Sequence, residues 1–166
     1  MNETEQGSPL VGDVLSVERT IAAPAATIFA VIADPTRHRD IDGSGTVKAA
    51  KNVPTKLGLG AKFGMNMRLG LPYSMVNTVI EYEKDRRIAW QTLPPYPLVG
   101  RFAGGRIWRY ELQPVEGGTL VRESWDISKE AAPTKLSVRR MAGTTRKNMT
   151  ATLDRLAELL EATGKK

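Results

Sequence analysis

The sequence predicts one α+β domain, in which a curved antiparallel sheet of six or seven strands wraps around a long C-terminal helix. Segments of alternating apolar and polar residues follow one another, separated by short turns rich in Gly and Pro, and strands joined in this way pair antiparallel. After Pro133 the spacing of the apolar residues lengthens to three or four, which is typical of an amphipathic helix. The length of 166 residues suits a single domain with its own core.

The first predicted elements are one strand and two short helices. Alternation predicts a strand over 13–21. Pro24 suits the first turn of a helix, and Pro35 marks a break, after which a second short helix begins near Thr36 and ends at the turn over 41–46. These helices must lie near the start of the sheet, because they follow its first strand.

The remaining elements are strands and a closing helix. Further strands are predicted over 46–51, 61–69, 73–82, 87–93, 106–113 and 119–128. The apolar positions of the closing helix are Leu136, Met141, Met149, Leu153, Leu156 and Leu160. We expect a flexible segment over 1–12 and a single ligand-binding domain over 13–162.

The composition bears on compartment and partners. The chain has no Cys, which excludes disulfides and thiolate sites and fits a reducing compartment. The N-terminus is acidic and lacks an apolar run, and the longest apolar stretch, over 28–33, is far shorter than the roughly 20 residues that span a bilayer. We expect a cytoplasmic monomer or homodimer with no stable membrane insertion.

The net charge of +6 does not predict a nucleic-acid partner. The Lys and Arg residues of the chain occur as pairs scattered over several strands and helices, such as Arg86-Arg87 and Arg139-Arg140. A binding site for phosphate backbones needs these charges to be clustered. The pattern favours a solvated surface.

Recognised catalytic and cofactor motifs are missing from the sequence. His38 is the single histidine, and its spacing from Asp42 predicts a pair on a helix surface. Ser44 lies in a GSG turn that lacks the spacing of a nucleophile elbow. One His and no Cys argue against a transition-metal site, and no phosphate-binding loop is present. We assign no catalytic residue and expect no metal or other cofactor.

Three segments carry a family resemblance: VERTIAAPAATIFAVIADPTRH, RRIAW and GGTLVRESWDIS. In this order they resemble the START-related superfamily, often labelled polyketide cyclase/dehydrase and lipid transport. The resemblance extends from about residue 13 to residue 160 and implies the helix-grip fold, with a deep cavity between the concave sheet and the long helix. Members range from lipid and hormone binders to aromatic-ring cyclases, so the resemblance implies no single activity.

The alternation of the strands independently predicts the residues of such a cavity. The residues expected to line it are Phe63, Met65, Met67, Trp90, Trp108, Tyr110 and Trp125, with Met141 and Thr145 of the closing helix shutting it. An ordinary packed core is the alternative for each of these residues. The proline-rich loop over 93–100 is either a plain connection or one wall of the pocket mouth.

Glu123 is expected inside the domain, because alternation places it on the face of Val121 and Trp125. A buried carboxyl must pair with a cation, accept hydrogen bonds or keep its proton. It is either a satisfied structural group or the polar anchor of the pocket, meeting a ligand hydroxyl or carbonyl with Tyr110 nearby. In the second case Glu123→Gln should keep the fold and weaken binding by roughly 1 to 3 kcal/mol.

The predicted function is binding or transport of a small hydrophobic molecule, lipid-like or polycyclic, in this cavity. The alternative is an enzyme that resembles aromatic polyketide cyclases and dehydrases and uses the same pocket to move protons. A third class is a module that binds a protein partner through the sheet or the long helix.

Overall fold

The computed structural model describes residues 10–54, 56–96, 98 and 104–164, and these form one antiparallel sheet with helices on its inner face. The strands are β1 (Val14–Ile21), β2 (Val47–Lys51), β3 (Lys62–Leu69), β4 (Leu71–Glu83), β5 (Arg87–Leu93), β6 (Arg106–Val115) and β7 (Gly118–Asp126). The helices are α1 (Ala25–Ile32), α2 (His38–Ile41), α3 (Ala132–Arg139) and α4 (Ala142–Thr163), with a 3₁₀ turn, Pro35–Arg37, before α2.

The sheet has the strand order β1-β7-β6-β5-β4-β3-β2, and all neighbours are antiparallel. From β2 to β7 each strand pairs with its successor in the chain, and short turns join β3 to β4, β4 to β5 and β6 to β7. The sheet is completed when β1 pairs with the last strand, which brings the two ends of the domain together. The predicted α+β architecture is confirmed.

The C-terminal region corrects one prediction. The single helix expected after Pro133 is two helices, α3 and α4, with a turn at Arg140 and Met141. The amides of these two residues bond to carbonyls three residues back, at Ser137 and Val138, which tightens and ends α3. The reason is packing, since Val138 must turn inward while the chain changes direction to start α4.

The apolar core consists of two clusters. The larger cluster includes residues from α1, the middle strands and the second half of α4, among them Phe29, Ile88 and Leu156. The smaller cluster joins β1 and β7 to α3 and the start of α4 through Leu15, Trp125, Ile127, Val138 and Met149. Val17 and Trp108 contact both clusters.

The loop after α2 lies directly on α4. A Cβ atom at Gly43 would be 2.2 Å from the carbonyl oxygen of Asn148 and 2.6 Å from the amide nitrogen of Thr152. The Gly43 amide donates a 3.0 Å hydrogen bond to the Thr152 hydroxyl. Glycine therefore allows the backbone of this loop to touch the helix that covers the sheet.

Within the described ranges, no helix has both the length and the apolar character that crossing a bilayer requires.

Candidate ligand site on the inner face of the sheet

Most of the predicted lining residues lie buried on the inner face of the sheet. The buried members are Phe63, Met65, Trp90, Tyr110 and Trp125 on the sheet, and Thr145 of α4 is also buried. The Trp90 ring packs against the rings of Phe63 and Tyr110, with 5.7 Å between the centroids in each pair. Trp125 belongs to the smaller core cluster, and the predicted set is therefore divided between the two clusters.

One end of the inner face is less covered than the other. Met67, Met75, Thr92 and Trp108 are only half-buried, and Tyr73 is 41% exposed. The strand register places these residues at one end of the sheet. Met67 pairs with Tyr73, and Thr92 pairs with Arg106, the first residue of β6. We call this region the open end.

The opposite end of the inner face is closed. Its residues include Val79, Ile88, Leu112 and Val121, and all of them are buried. The partial exposure of Trp108 on the interior strand β6 therefore indicates that solvent reaches the inner face from the open end.

The loop over 93–100 leaves the sheet at the open end. Tyr96 and Leu98 are exposed. Residues 97, 99 and 100 lie outside the described residues. Its suggested role as a pocket wall stays a prediction.

Glu123 lies inside the protein, with 2% of the residue exposed. The hydroxyl of Tyr110, which lies opposite it on β6, donates a 2.8 Å hydrogen bond to its Oε1. Its Oε2 is buried and has no hydrogen-bond partner in the described part of the chain. One half of the carboxyl is therefore satisfied and the other half is not.

Burial controls the protonation of this pair. Removal from water is the main effect, and it raises the pKa of Glu123. The charge of Asp42 also raises this pKa, whereas the hydrogen bond from Tyr110 lowers it. Together they bring the pKa of Glu123 to about 8. Burial and the adjacent carboxyl also raise the pKa of Tyr110 well above its usual value. At neutral pH both groups carry their protons.

No cation neutralises Glu123 among the described residues. Arg109, next to Tyr110 on β6, points to the outer face. There it pairs with Glu81 at 2.7 Å and Asp126 at 3.8 Å. The pKa of Glu81 is lowered mainly by the hydrogen bond from Arg109, so this outer pair is ionised while the inner carboxyl is not.

Glu123 lies between the two apolar clusters of the core. On β7 its inward neighbours are Val121, in the larger cluster, and Trp125, in the smaller one. The carboxyl therefore lies where the two apolar clusters meet.

His38 corrects another expectation. Its ring does not pair with Asp42 on the surface. It stacks on Trp90 with centroids 5.1 Å apart, and its Nε2 bonds to the carbonyl of Ile32 at 2.8 Å. The helix α2 is a single turn, so the ring can turn inward, and burial lowers the pKa of His38.

Asp42 and Ser44 have a structural role. The Asp42 carboxylate accepts hydrogen bonds from Ser44 and from the amide of Val47. Ser44 in turn bonds to Thr46. The GSG segment is the turn that the sequence predicted, and it leads the chain into β2.

Met141 is a further correction. It was expected to close the cavity, but it lies in the turn between α3 and α4 and is 45% exposed. The break in the helix changes the phase of its apolar face, and Val138 and Ala142 are buried there in its place.

Sequence reasoning missed an ion pair at the open end. Arg106, on the inner face of β6, donates through Nε to Glu130 at 2.7 Å, and Glu130 is almost fully buried. Glu130 also accepts a 3.2 Å hydrogen bond from Thr134 of α3. Alternation along β6 could have placed Arg106 inward, but its partner lies in a loop without a periodic signal.

A cleft of about 620 Å³ lies elsewhere, between α1, the segment around Leu57 and the end of β4. None of the predicted lining residues contributes to it. Within the described residues, no group of three or more His, Asp and Glu side chains converges in a way that could hold a metal ion.

Comparison with known proteins places this fold among relatives. A family model described as "Polyketide cyclase / dehydrase and lipid transport" matches residues 14–161. An uncharacterized protein of Mycobacterium tuberculosis strain H37Rv, Rv0088, is 41% identical over 108 residues, which is 64% of this chain and 44% of that protein. The chain thus matches less than half the length of its curated relatives.

Solved structures share the architecture. Protein NE0264 from Nitrosomonas europaea has a TM-score of 0.70 at 16% identity, covering 95% of this chain and 100% of that one. The di-domain ARO/CYC StfQ from the steffimycin biosynthetic pathway has a TM-score of 0.72 at 8% identity, covering 93% of this chain and 52% of that one. At these identities the likeness shows a shared fold.

Proposed function

Since the chain belongs to the family of polyketide cyclases/dehydrases and lipid transport proteins, we propose that it binds or carries a small hydrophobic molecule between the inner face of its sheet and α4. The observation that carries this proposal is the position of Glu123. Its Oε2 is a buried polar atom with no hydrogen-bond partner among the described residues, and its inward neighbours on β7, Val121 and Trp125, are apolar. Buried polar atoms are normally satisfied, so an unpaired one supports the presence of a binding site.

The open end provides the route for entry. Trp108 is half-buried although it lies on an interior strand of the sheet and points inward. Met67 and Met75, on β3 and β4 at the same open end, have flexible side chains that adapt to apolar surfaces. A ligand that covers this apolar surface gains about 25 cal/mol for each Å² removed from water.

Two measurements test this function. Native mass spectrometry of protein purified from its own host should detect a retained small molecule. Titration with the neutral probe N-phenyl-1-naphthylamine should give saturable fluorescence with one site, and Trp108→Ala should weaken it several-fold. Leu59→Ala, at an exposed apolar residue outside the inner face, is the matched control. No retained molecule together with no saturable probe binding would reject the proposal.

A proton-transfer enzyme is the second candidate, and the Glu123–Tyr110 pair favours it. A carboxyl that keeps its proton at neutral pH can act as a general acid, for example toward a departing hydroxyl group when a β-hydroxyketone loses water. Turnover of such a substrate, abolished by Glu123→Gln, would support the enzyme. Binding of the same compound without turnover would support the binding protein.

A further inference from the structure

The hydrogen bond between Tyr110 and Glu123 fixes which oxygen of the carboxyl can serve a ligand. The Tyr110 hydroxyl donates to Oε1 at 2.8 Å, so Oε1 is already an acceptor. Oε2 is the oxygen that remains buried, and no described residue makes a hydrogen bond to it. Oε2 is therefore the carboxyl oxygen through which a bound molecule can make a polar contact without sharing an oxygen with Tyr110.

The surroundings decide whether Oε2 is a donor or an acceptor. The carboxyl is almost fully buried, and in the part of the chain that the structure describes no Lys, Arg or His lies within 4 Å of it. Ionisation would leave a buried charge supported by one hydrogen bond, which is costly. The carboxyl is therefore neutral, and because Oε1 accepts from Tyr110, the proton lies on Oε2. The raised pKa of about 8 agrees with this assignment.

We propose that Glu123 acts as a hydrogen-bond donor that selects apolar ligands bearing a neutral carbonyl oxygen, such as ketones, over hydrocarbons of the same shape. This inference depends on the proposed binding function and narrows its ligand class. A carbonyl supplies an acceptor and brings no donor that would need a further partner. A ligand carboxylate would bring a second negative charge toward Asp42, whose charge already acts on Glu123, and its desolvation would oppose binding.

A neutral acid changes the meaning of the Glu123→Gln substitution. The expectation from the sequence, that this variant weakens binding, assumed an ionised anchor. The amide oxygen of Gln can accept from Tyr110 while its NH₂ group donates to the ligand, as the protonated acid does. Gln should therefore rescue carbonyl selectivity, whereas Leu, which has no donor, should abolish it.

The experiment uses two matched probe pairs of different size: fluorenone with fluorene, and acetophenone with ethylbenzene. Equilibrium dialysis at pH 6.5 measures each with wild type, Glu123→Leu and Glu123→Gln, after circular dichroism has verified folding. We expect wild type to prefer each ketone about tenfold, which is the scale of satisfying a buried donor. Glu123→Leu should lose this preference and Glu123→Gln should restore it. Above pH 9 the preference should also fall in wild type but not in Glu123→Gln.

Each contrary outcome has a distinct meaning. If neither member of either pair binds, the proposed function itself fails. If ketone and hydrocarbon bind wild type equally well, the binding function stands and the carbonyl inference is overturned. If Glu123→Gln binds the ketones as weakly as Glu123→Leu, an amide donor at this position does not replace the acid, and the assignment of Glu123 as a neutral donor is overturned.

Discussion

Tyr110 and Glu123 lie opposite each other on β6 and β7, with the phenol hydroxyl 2.8 Å from Oε1 of the carboxyl. Both side chains point to the inner face, and both are buried. The pair places a neutral acid in the interior where the two apolar clusters meet, and its properties lead to direct tests.

The stability of the protein should fall as the pH rises from about 4.5 to about 8, because of Glu123. Its pKa is about 8 in the folded protein and 4.5 in the reference state, so in this window the folded form binds a proton that the unfolded form releases. Because the folded form binds more protons in this window, the free energy of unfolding decreases as the pH rises, by up to about 1.4 kcal/mol for each pH unit.

Urea denaturation of wild type and Glu123→Gln at pH 5, 6.5 and 8 measures this effect. Gln cannot ionise, so its stability relative to wild type should increase with pH, while the contributions of all other groups cancel. Glu116→Gln, in the exposed β6–β7 turn, is the control and should show no such trend. A pH-independent difference at position 123 would mean that Glu123 is ionised when folded.

Tyr110→Phe should destabilise the protein by about 1 to 3 kcal/mol, because it leaves both oxygens of a buried carboxyl without a hydrogen-bond partner among the described residues. The loss also removes the interaction that lowers the pKa of Glu123, so that pKa should rise further. Tyr82→Phe is the matched control. The Tyr82 ring packs edge-on to Phe29 at 5.6 Å, and its hydroxyl makes no hydrogen bond to a described residue. Equal stability losses in the two variants would contradict the role of the Tyr110 hydroxyl.

Trp108 should be the tryptophan most accessible to acrylamide. Trp90 and Trp125 are 7% and 1% exposed, whereas Trp108 is half-buried at the open end. Trp108→Phe should therefore lower the Stern–Volmer constant of the remaining fluorescence, and Trp90→Phe should not. If Trp108→Phe leaves quenching unchanged, the open end is closed to small solutes.

Gly43→Ala should destabilise the protein by about 1 to 3 kcal/mol, since the added methyl group would overlap the backbone of α4 at Asn148 and Thr152. Gly143→Ala, within α4 itself, is the comparison variant. A Cβ there meets nothing within 4 Å, and Ala favours the helix over Gly by up to about 1 kcal/mol. Thermal melts should shift in opposite directions. A neutral Gly43→Ala would show that the loop is not held against α4.

The sequence by itself determined the strands, their inward faces and the position of the buried acid. The alternation of side chains in a strand has a period of two and depends only on local geometry. For this reason the residues Val121, Glu123 and Trp125 could be placed on one face before the sheet was known, and the structure has them there. The amphipathic spacing likewise indicated a helix at the C-terminus, but it could not show the break at Met141, because both α3 and α4 carry apolar residues three or four apart.

Only the tertiary structure decided which groups meet and which end of the inner face solvent reaches. The stacking of His38 on Trp90 and the pairing of Arg106 with Glu130 join residues that are 52 and 24 positions apart, and no local pattern predicts them. The exposure of Trp108 depends on how far loops and helices cover the sheet. The proton on Glu123 depends on the water and the charges that folding removes from its surroundings, and these are set by the packing of the whole domain.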